Sequence, residues 1–198
     1  MLGTIKEQTI RLHYLVNNLL DLSRIRAGAV QARTDWYALD EVILHTLDHH
    51  QTLLARHPLT VELPPDLPLI PLDFVLTEQV LVNLLDNAVT YTPNGTHILI
   101  RAMITSEKVM VCVADQGTGI PIAERQRIFE SFTRLATVTD TPGSGIGLAI
   151  CKGFIEAQGG TIWVEETPGG GASFCFCLPR GEMSAQQDGT SHLERARH

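Results

Sequence analysis

The sequence predicts an α+β protein built as a two-layer α/β sandwich, a mixed sheet with helices packed on one face, preceded by a long coiled-coil-like helix. Three observations predict it. Alternating apolar runs at 97–105 and 108–115, and again at 161–165 and 172–178, read as two strand hairpins. Helical runs at 40–56, 73–91 and 145–158 are threaded among them, an order that suits helices on one side of a sheet. Between Thr4 and Ala27 the apolar residues recur at three-and-four spacing instead of alternating.

That first segment places Ile5, Leu12, Leu15, Leu19 and Leu22 in one seam flanked by Val16, Leu20 and Ile25, and Gly28 suits the C-terminal cap. A helix this apolar needs a partner for its stripe, expected from a second subunit or from chain outside this sequence. Residues 1–30 therefore form one unit and 36–180 a second. In the second, a strand is expected at 59–63, and Leu63 to Pro68 is a proline-rich connector. Asp73 caps the next helix, which Thr92-Pro93-Asn94-Gly95 stops. Ser106-Glu107 turns the first hairpin, and a short helix is expected from Ile122 to Glu130. An irregular segment then runs to Gly143, and Thr167 to Gly171 turns the last hairpin. The polar stretch 181–198 is expected to be a disordered tail.

At 198 residues with 44% hydrophobic and 19% charged side chains, the composition is that of a globular protein with a real core. No run approaches the roughly 20 apolar residues needed to cross a bilayer, and the start lacks a signal-peptide apolar region. The expectation is a soluble, cytoplasmic polypeptide, with any membrane attachment confined to upstream regions absent here. A formal charge of −7 argues against nucleic acid or an anionic membrane as the main partner. The four cysteines suggest neither a disulfide scaffold nor a zinc site, and buried free thiols are expected. His45, His49 and His50 read as a solvated helix face, and His57 and His97 carry no functional signal.

Four motifs can carry chemistry. Gly143 to Ile150 is a glycine-rich loop opening into a helix, where close backbone approach and unpaired N–H groups suit a phosphate. Asn83 and Asn87 lie four apart on one helical face. Their neutral amide oxygens, with water and phosphate oxygens, can complete an octahedral magnesium shell. Asp115-Gln116-Gly117-Thr118-Gly119-Ile120 follows a strand directly. Its carboxylate can accept from the exocyclic amine of adenine while the glycines close around the base. Ile128 to Arg134 spaces two phenylalanines to grip the base of a loop, with Arg134 able to reach a phosphate.

In this order the four resemble the N box, first glycine box, F box and second glycine box of the ATP-binding catalytic domain of sensor histidine kinases. Those are members of the GHKL superfamily with the Bergerat fold. The resemblance runs from about Asp21 to Pro179 and includes Gly159 to Ile162 and Gly170 to Phe174. Within the family, Asn17 to Asp21, Trp36 before Leu39-Asp40-Glu41-Val42, and Pro142 to Cys151 are most similar to the potassium-responsive sensor kinases. The resemblance implies ATP and Mg2+, with Asn87 the principal metal ligand and Asn83 a second N-box asparagine near metal and phosphates. It implies Asp115 as the adenine reader in a pocket shaped by Gly117, Gly119 and Ile120, with Tyr91 beside the nucleotide. Gly143, Ser144, Gly145, Ile146, Gly147 and Leu148 would flank the triphosphate, Phe132 to Pro142 would be a lid, and Arg134 a basic group near the phosphates. It further implies a response regulator as partner and a homodimer through the N-terminal helix. Related hydrolases carry a glutamate where Asn83 stands. An asparagine cannot take a proton from water, which favours transfer to a histidine, with Asn83 and Arg134 as the catalytic pair.

The sequence departs from the family in three places. No phosphoacceptor histidine box is present, and His13, followed by Tyr14-Leu15-Val16, stands in the wrong context. Thr4 to Ala27 would then be the second helix of a phosphotransfer hairpin, and this chain is expected to bind nucleotide without phosphorylating itself. Thr90 occupies a position where a lysine is common, and Gln116-Gly117-Thr118 replaces Asn-Gly-Pro. A GHKL ATPase, an anti-sigma-type serine kinase and a degenerate nucleotide-binding or dimerisation module are the alternative readings.

Overall fold

A computed structural model of the chain describes residues 2–134 and 144–181; within the first helix, side chains are described at position 12 and from 15 onward. In chain order the elements are α1 (Leu2–Arg26), β1 (Asp35–Ala38), α2 (Leu39–His49), α3 (Gln51–Leu54), β2 (Leu59–Glu62) and β3 (Leu69–Leu72). There follow α4 (Phe74–Tyr91), β4 (Ile98–Ile104), β5 (Lys108–Ala114), α5 (Gly147–Ala157), β6 (Thr161–Glu166) and β7 (Ala172–Pro179).

The main sheet has the order β2-β4-β5-β7-β6 and is mixed as expected: β2 runs parallel to β4, and the other pairs are antiparallel. Period-two alternation sends Val109, Val111 and Val113 of β5 and Phe174, Phe176 and Leu178 of β7 to one face, where they join the buried core. Helices cover that face. Val80, Leu81, Leu84, Leu85 and Ala88 of α4, Ile150, Phe154 and Ile155 of α5, and Leu39, Val42 and Ile43 of α2 complete the layer. Asp73 caps α4 by accepting from the Leu76 N–H at 3.1 Å. Gln158 ties that cap to the end of α5, its side-chain oxygen accepting from the Asp73 N–H at 2.8 Å and the Thr77 hydroxyl at 3.2 Å.

Several expectations are corrected. A second, two-stranded sheet pairs β1 with β3, so the connector ends at Leu69 and leads into a strand. The helix expected over 40–56 breaks at His50. There the backbone N–H turns to Leu47 while the ring Nδ1 lies 2.8 Å from the Thr46 carbonyl, so a side chain occupies the helix acceptor. The helix expected over 122–130 is two short 3-10 turns, Ile122–Glu124 and Arg127–Phe129. His57 is buried, with Nδ1 3.0 Å from the Thr96 carbonyl, and thus fixes the approach to β4.

The cysteine expectation is wrong for one pair. Cys112 and Cys175 are disulfide-bonded, with Cα atoms 4.1 Å apart, because the β5–β7 register sets them directly opposite each other. Cys151 and Cys177 are free and buried.

The partner for the first helix is also partly internal. Leu22 is buried and Ile25 packs on the core where α1 meets α5, and the Gln79 amide donates to Asp21 at 3.0 Å. Gly153 of α5 makes the approach possible, since a Cβ there would lie 2.6 Å from Ile25 Cγ2. Leu12, Val16, Leu19 and Leu20 stay exposed on the other side of α1.

Candidate functional site

The N-box asparagines differ in setting. Asn83, on the core-facing side of α4, is 3% exposed, whereas Asn87 is half-buried one turn on. Gly147, the first residue of α5, lies directly against Asn83: a Cβ there would stand 3.5 Å from the amide oxygen. The Cys151 thiol, one turn further along α5, is hydrogen-bonded with the Asn83 side chain, and burial pushes its pKa up to about 12. The structure thus brings the N box and the second glycine box together, with the opening turn of α5, the end of a helix whose N–H groups have no partner within it, beside the Asn83 amide.

The first glycine box forms the adjoining wall. Asp115, just beyond β5, is 5% exposed, and its Oδ1 accepts from the Gly117 N–H at 2.8 Å and the Ala172 N–H at 3.1 Å. Burial raises its pKa above the usual carboxylate value, and the two N–H bonds pull in the opposite direction. Both bonds fall on Oδ1, so among the described residues Oδ2 is the oxygen left to meet a ligand. Gly117 packs under the end of α4, where a Cβ would lie 3.0 Å from the Thr92 methyl and 3.1 Å from the Tyr91 carbonyl. Gly119 adopts φ +71, and Ile120 rests partly buried on the core. Tyr91 itself is exposed at the helix end.

Gly171 and Ala172 carry no site role in the sequence reading, yet they complete this wall. A Cβ at Gly171 would overlap the Asp115 carbonyl, and Ala172 supplies one of the two N–H donors. Both lie 56 or more positions from Asp115 along the chain, and only the β5–β7 register joins them.

The F box does not act as a matched pair. Phe129 is buried edge-on against Phe174, ring centroids 6.5 Å apart, whereas Phe132 is 58% exposed with a left-handed φ of 65°. The Phe132 N–H donates to the Gly145 carbonyl at 2.8 Å, and the Arg26 guanidinium stands 5.8 Å over the Phe132 ring. Arg134 is the last residue described before 135–143. Ser144, Gly145 and Leu148 are half-buried and Ile146 is buried. Gly143 and the lid expected over 132–142 lie, apart from Phe132, Thr133 and Arg134, outside the described residues, as does the tail from 182.

A divalent cation can be tested against this donor set. The Asn87 side-chain nitrogen is enclosed with no hydrogen-bond partner among the described residues, so that end of its amide is not consumed by the fold, and the oxygen is the atom that could meet a cation. No cluster of three His, Cys, Asp or Glu residues suited to a metal occurs among them either. Neutral oxygens completed by phosphate and water suit Mg2+, which keeps much of its hydration shell and needs no carboxylate cage.

Residues 73–182 match the family of histidine kinase-, DNA gyrase B- and HSP90-like ATPases, and the chain belongs to that family as a sensor histidine kinase catalytic domain. Over 176 residues it is 39% identical to the sensor protein KdpD of Escherichia coli, covering 89% of this chain and 20% of that protein. Over 168 residues it is 36% identical to the adaptive-response sensory kinase SasA of Synechocystis, covering 83% of this chain and 44% of that protein. Among solved structures, full-length ShkA in complex with AMPPNP is similar at a TM-score of 0.80 and 28% identity, covering 92% of this chain and 39% of that one. The chain therefore spans 20% of the KdpD relative and 44% of the SasA relative. No helix among the described residues is long and apolar enough to cross a membrane.

Proposed function

We propose that this chain binds Mg-ATP and serves as the catalytic part of a cytoplasmic two-component kinase, passing the γ-phosphoryl group to a histidine and thence to a response-regulator aspartate. The observation that carries this reading is Gly147 standing against the Asn83 amide, which sets the start of α5 beside an N-box asparagine. Asn87 is the proposed metal ligand, with Asn83 beside it. Bound there, Mg2+ would neutralise phosphate charge.

The remaining roles are those that the family resemblance implies for each group. Asp115 Oδ2 accepts from the adenine amine, and Gly117, Gly119 and Ile120 shape the base pocket with Tyr91 at its edge. Ser144, Gly145, Ile146, Gly147 and Leu148, with Gly143, flank the triphosphate. Phe132 begins the lid, and Arg134 is assigned to the transferred phosphate. Asn83 has no basic lone pair to take a proton from water, whereas a neutral imidazole already carries a lone pair for attack, so the site favours transfer over hydrolysis. The acceptor histidine is proposed to lie outside this sequence, and the exposed Leu12, Val16, Leu19 and Leu20 face of α1 to be the homodimer surface.

Calorimetry with a non-hydrolysable ATP analogue tests the reading. Binding that requires Mg2+, and falls at least tenfold in Asn87→Ala, is the expected result. Absence of binding heat in the wild-type chain would overturn it. Radiolabelled ATP should leave no acid-labile, base-stable phosphate on the chain.

A further inference from the structure

Cys112 and Cys175 sit on the face of the sheet away from the helices, since their neighbours Val111, Val113, Phe174 and Phe176 point into the core. Exposed Arg101, directly opposite Cys112 on β4, and exposed Met103 share that outer face. The disulfide has a sequence separation of 63 and encloses both glycine loops. Toward the nucleotide wall, only Val113 and Ala114 on β5, and Phe174 and Ser173 on β7, separate it from the Asp115 and Ala172 junction. There the Asp115 N–H donates to the Ala172 carbonyl at 2.9 Å, and the Ala172 N–H returns a bond to the carboxylate at 3.1 Å.

We propose that Cys112 and Cys175 form a reversible thiol–disulfide modification site whose oxidised state clamps the ends of β5 and β7 that hold the Asp115 carboxylate. Its consequence for nucleotide rests on the adenine role given to Asp115 above. Disulfides in a reducing cytoplasm are usually transient and redox-sensing, which is the behaviour such a pair would show in the proposed compartment.

The chemistry needs a disulfide oxidant of the glutathione type. Cys112, 8% exposed against 2% for Cys175, is the sulfur such a reagent meets first. Its thiolate attacks the oxidant, forming a mixed disulfide and releasing one small thiol. The Cys175 thiolate then attacks the Cys112 sulfur, forming the protein disulfide and releasing the second small thiol. Two electrons pass to the oxidant, and the two protons lost by the cysteines end on the released thiols. A reducing dithiol reverses both steps.

The other two cysteines are built-in controls. Cys177 shares the outer face, but Met110 and Thr161 stand opposite it, and its sulfur shares a hydrogen bond with the Thr161 hydroxyl at 3.0 Å. Cys151 is fully buried beside Asn83, out of reach of any reagent.

The test equilibrates the full chain in buffers of graded glutathione ratio, maps disulfides by non-reducing peptide mass spectrometry, and follows hydrogen exchange at the Gly117 and Ala172 amides. Expected is a linked 112–175 peptide released by dithiothreitol, with both amides exchanging about tenfold slower in the oxidised state because the ladder end frays less. Cys112→Ser and Cys112→Ala should abolish the linkage and the difference, and Cys177→Ser should keep both. No linked peptide at any ratio, or identical exchange in the two states, overturns the proposal. Slowed exchange with no nucleotide bound in either state would count against the ATP site and leave the modification site standing.

Discussion

The Phe132 N–H donates to the carbonyl of Gly145 at 2.8 Å, so the chain leaves the F box and returns to the second glycine box through one hydrogen bond. The segment between them therefore starts and ends at a shared stem. Both stem residues have positive φ, 65° at Phe132 and 67° at Gly145, and only one of them is a glycine.

Gly145→Ala should break that stem. A Cβ would stand 2.8 Å from the Thr133 carbonyl oxygen, and alanine at this φ adds left-handed strain of its own. The cost is about 2 kcal/mol, seen as a Tm lowered by about 4–8 °C. Nucleotide affinity, followed by calorimetry, should fall with it. Phe132→Gly relieves the strain at the other stem residue and should leave the Tm unchanged or higher. A Gly145→Ala protein as stable as wild type would mean that the stem does not need its left-handed geometry.

Asp115→Asn separates fold from function. The asparagine oxygen can still accept from Gly117 and Ala172, which bond only Oδ1, and the substitution removes a buried charge. Stability at neutral pH should be equal or higher. On the ligand side, however, an NH2 group replaces Oδ2 and, in the adenine role proposed for Asp115, would meet the exocyclic amine donor against donor. The expected loss is about 1–3 kcal/mol of affinity, measured by titration with ATP analogue at a pH where the wild type binds fully.

The same carboxylate gives pH effects of opposite sign for stability and for binding. Burial raises its folded-state pKa above the ordinary 3.8, so the folded protein holds this proton more tightly than the unfolded chain. Its contribution to stability is therefore greatest below 3.8 and declines as pH rises through the raised value. Burial shifts Asp86 the same way. Binding behaves oppositely, because a protonated Asp115 is a poorer acceptor, and affinity should drop as pH falls through the raised value. Denaturant unfolding of wild type and Asp115→Asn across the acidic range checks the first effect, and analogue titration checks the second. Parallel stability curves for the two proteins would refute the shift.

How much of this was legible depended on how local each signal is. The capped run behind Asp73 and the alternating runs of β4, β5, β6 and β7 declare themselves within a few residues, so α4 and both hairpins lie where the pattern puts them. Asn83 and Asn87, four apart on that helix, were visible for the same reason. The short β1–β3 pair was not, because Leu69–Leu72 contains a proline and becomes a strand only against its distant partner. Register was equally invisible. It alone sets Ala172 on Asp115 and Cys112 on Cys175, and without it those cysteines read as isolated thiols.

The docking of α1 on α5 gives the remaining prediction. Gly153 admits Ile25 where any side chain would collide, so Gly153→Leu should force α1 away while leaving the sheet and its other helices intact. Leucine suits a helix interior better than glycine by close to 1 kcal/mol, so α5 itself should not suffer. Hydrogen exchange should quicken across Asn18 to Arg26 and remain slow in β4, β5 and β7. Because Arg26 stands over Phe132, the same substitution should also raise exchange at the Phe132 amide. Unchanged protection of α1 would show that contacts other than Ile25 on Gly153, such as Asp21 with Gln79, are enough to hold the helix in place.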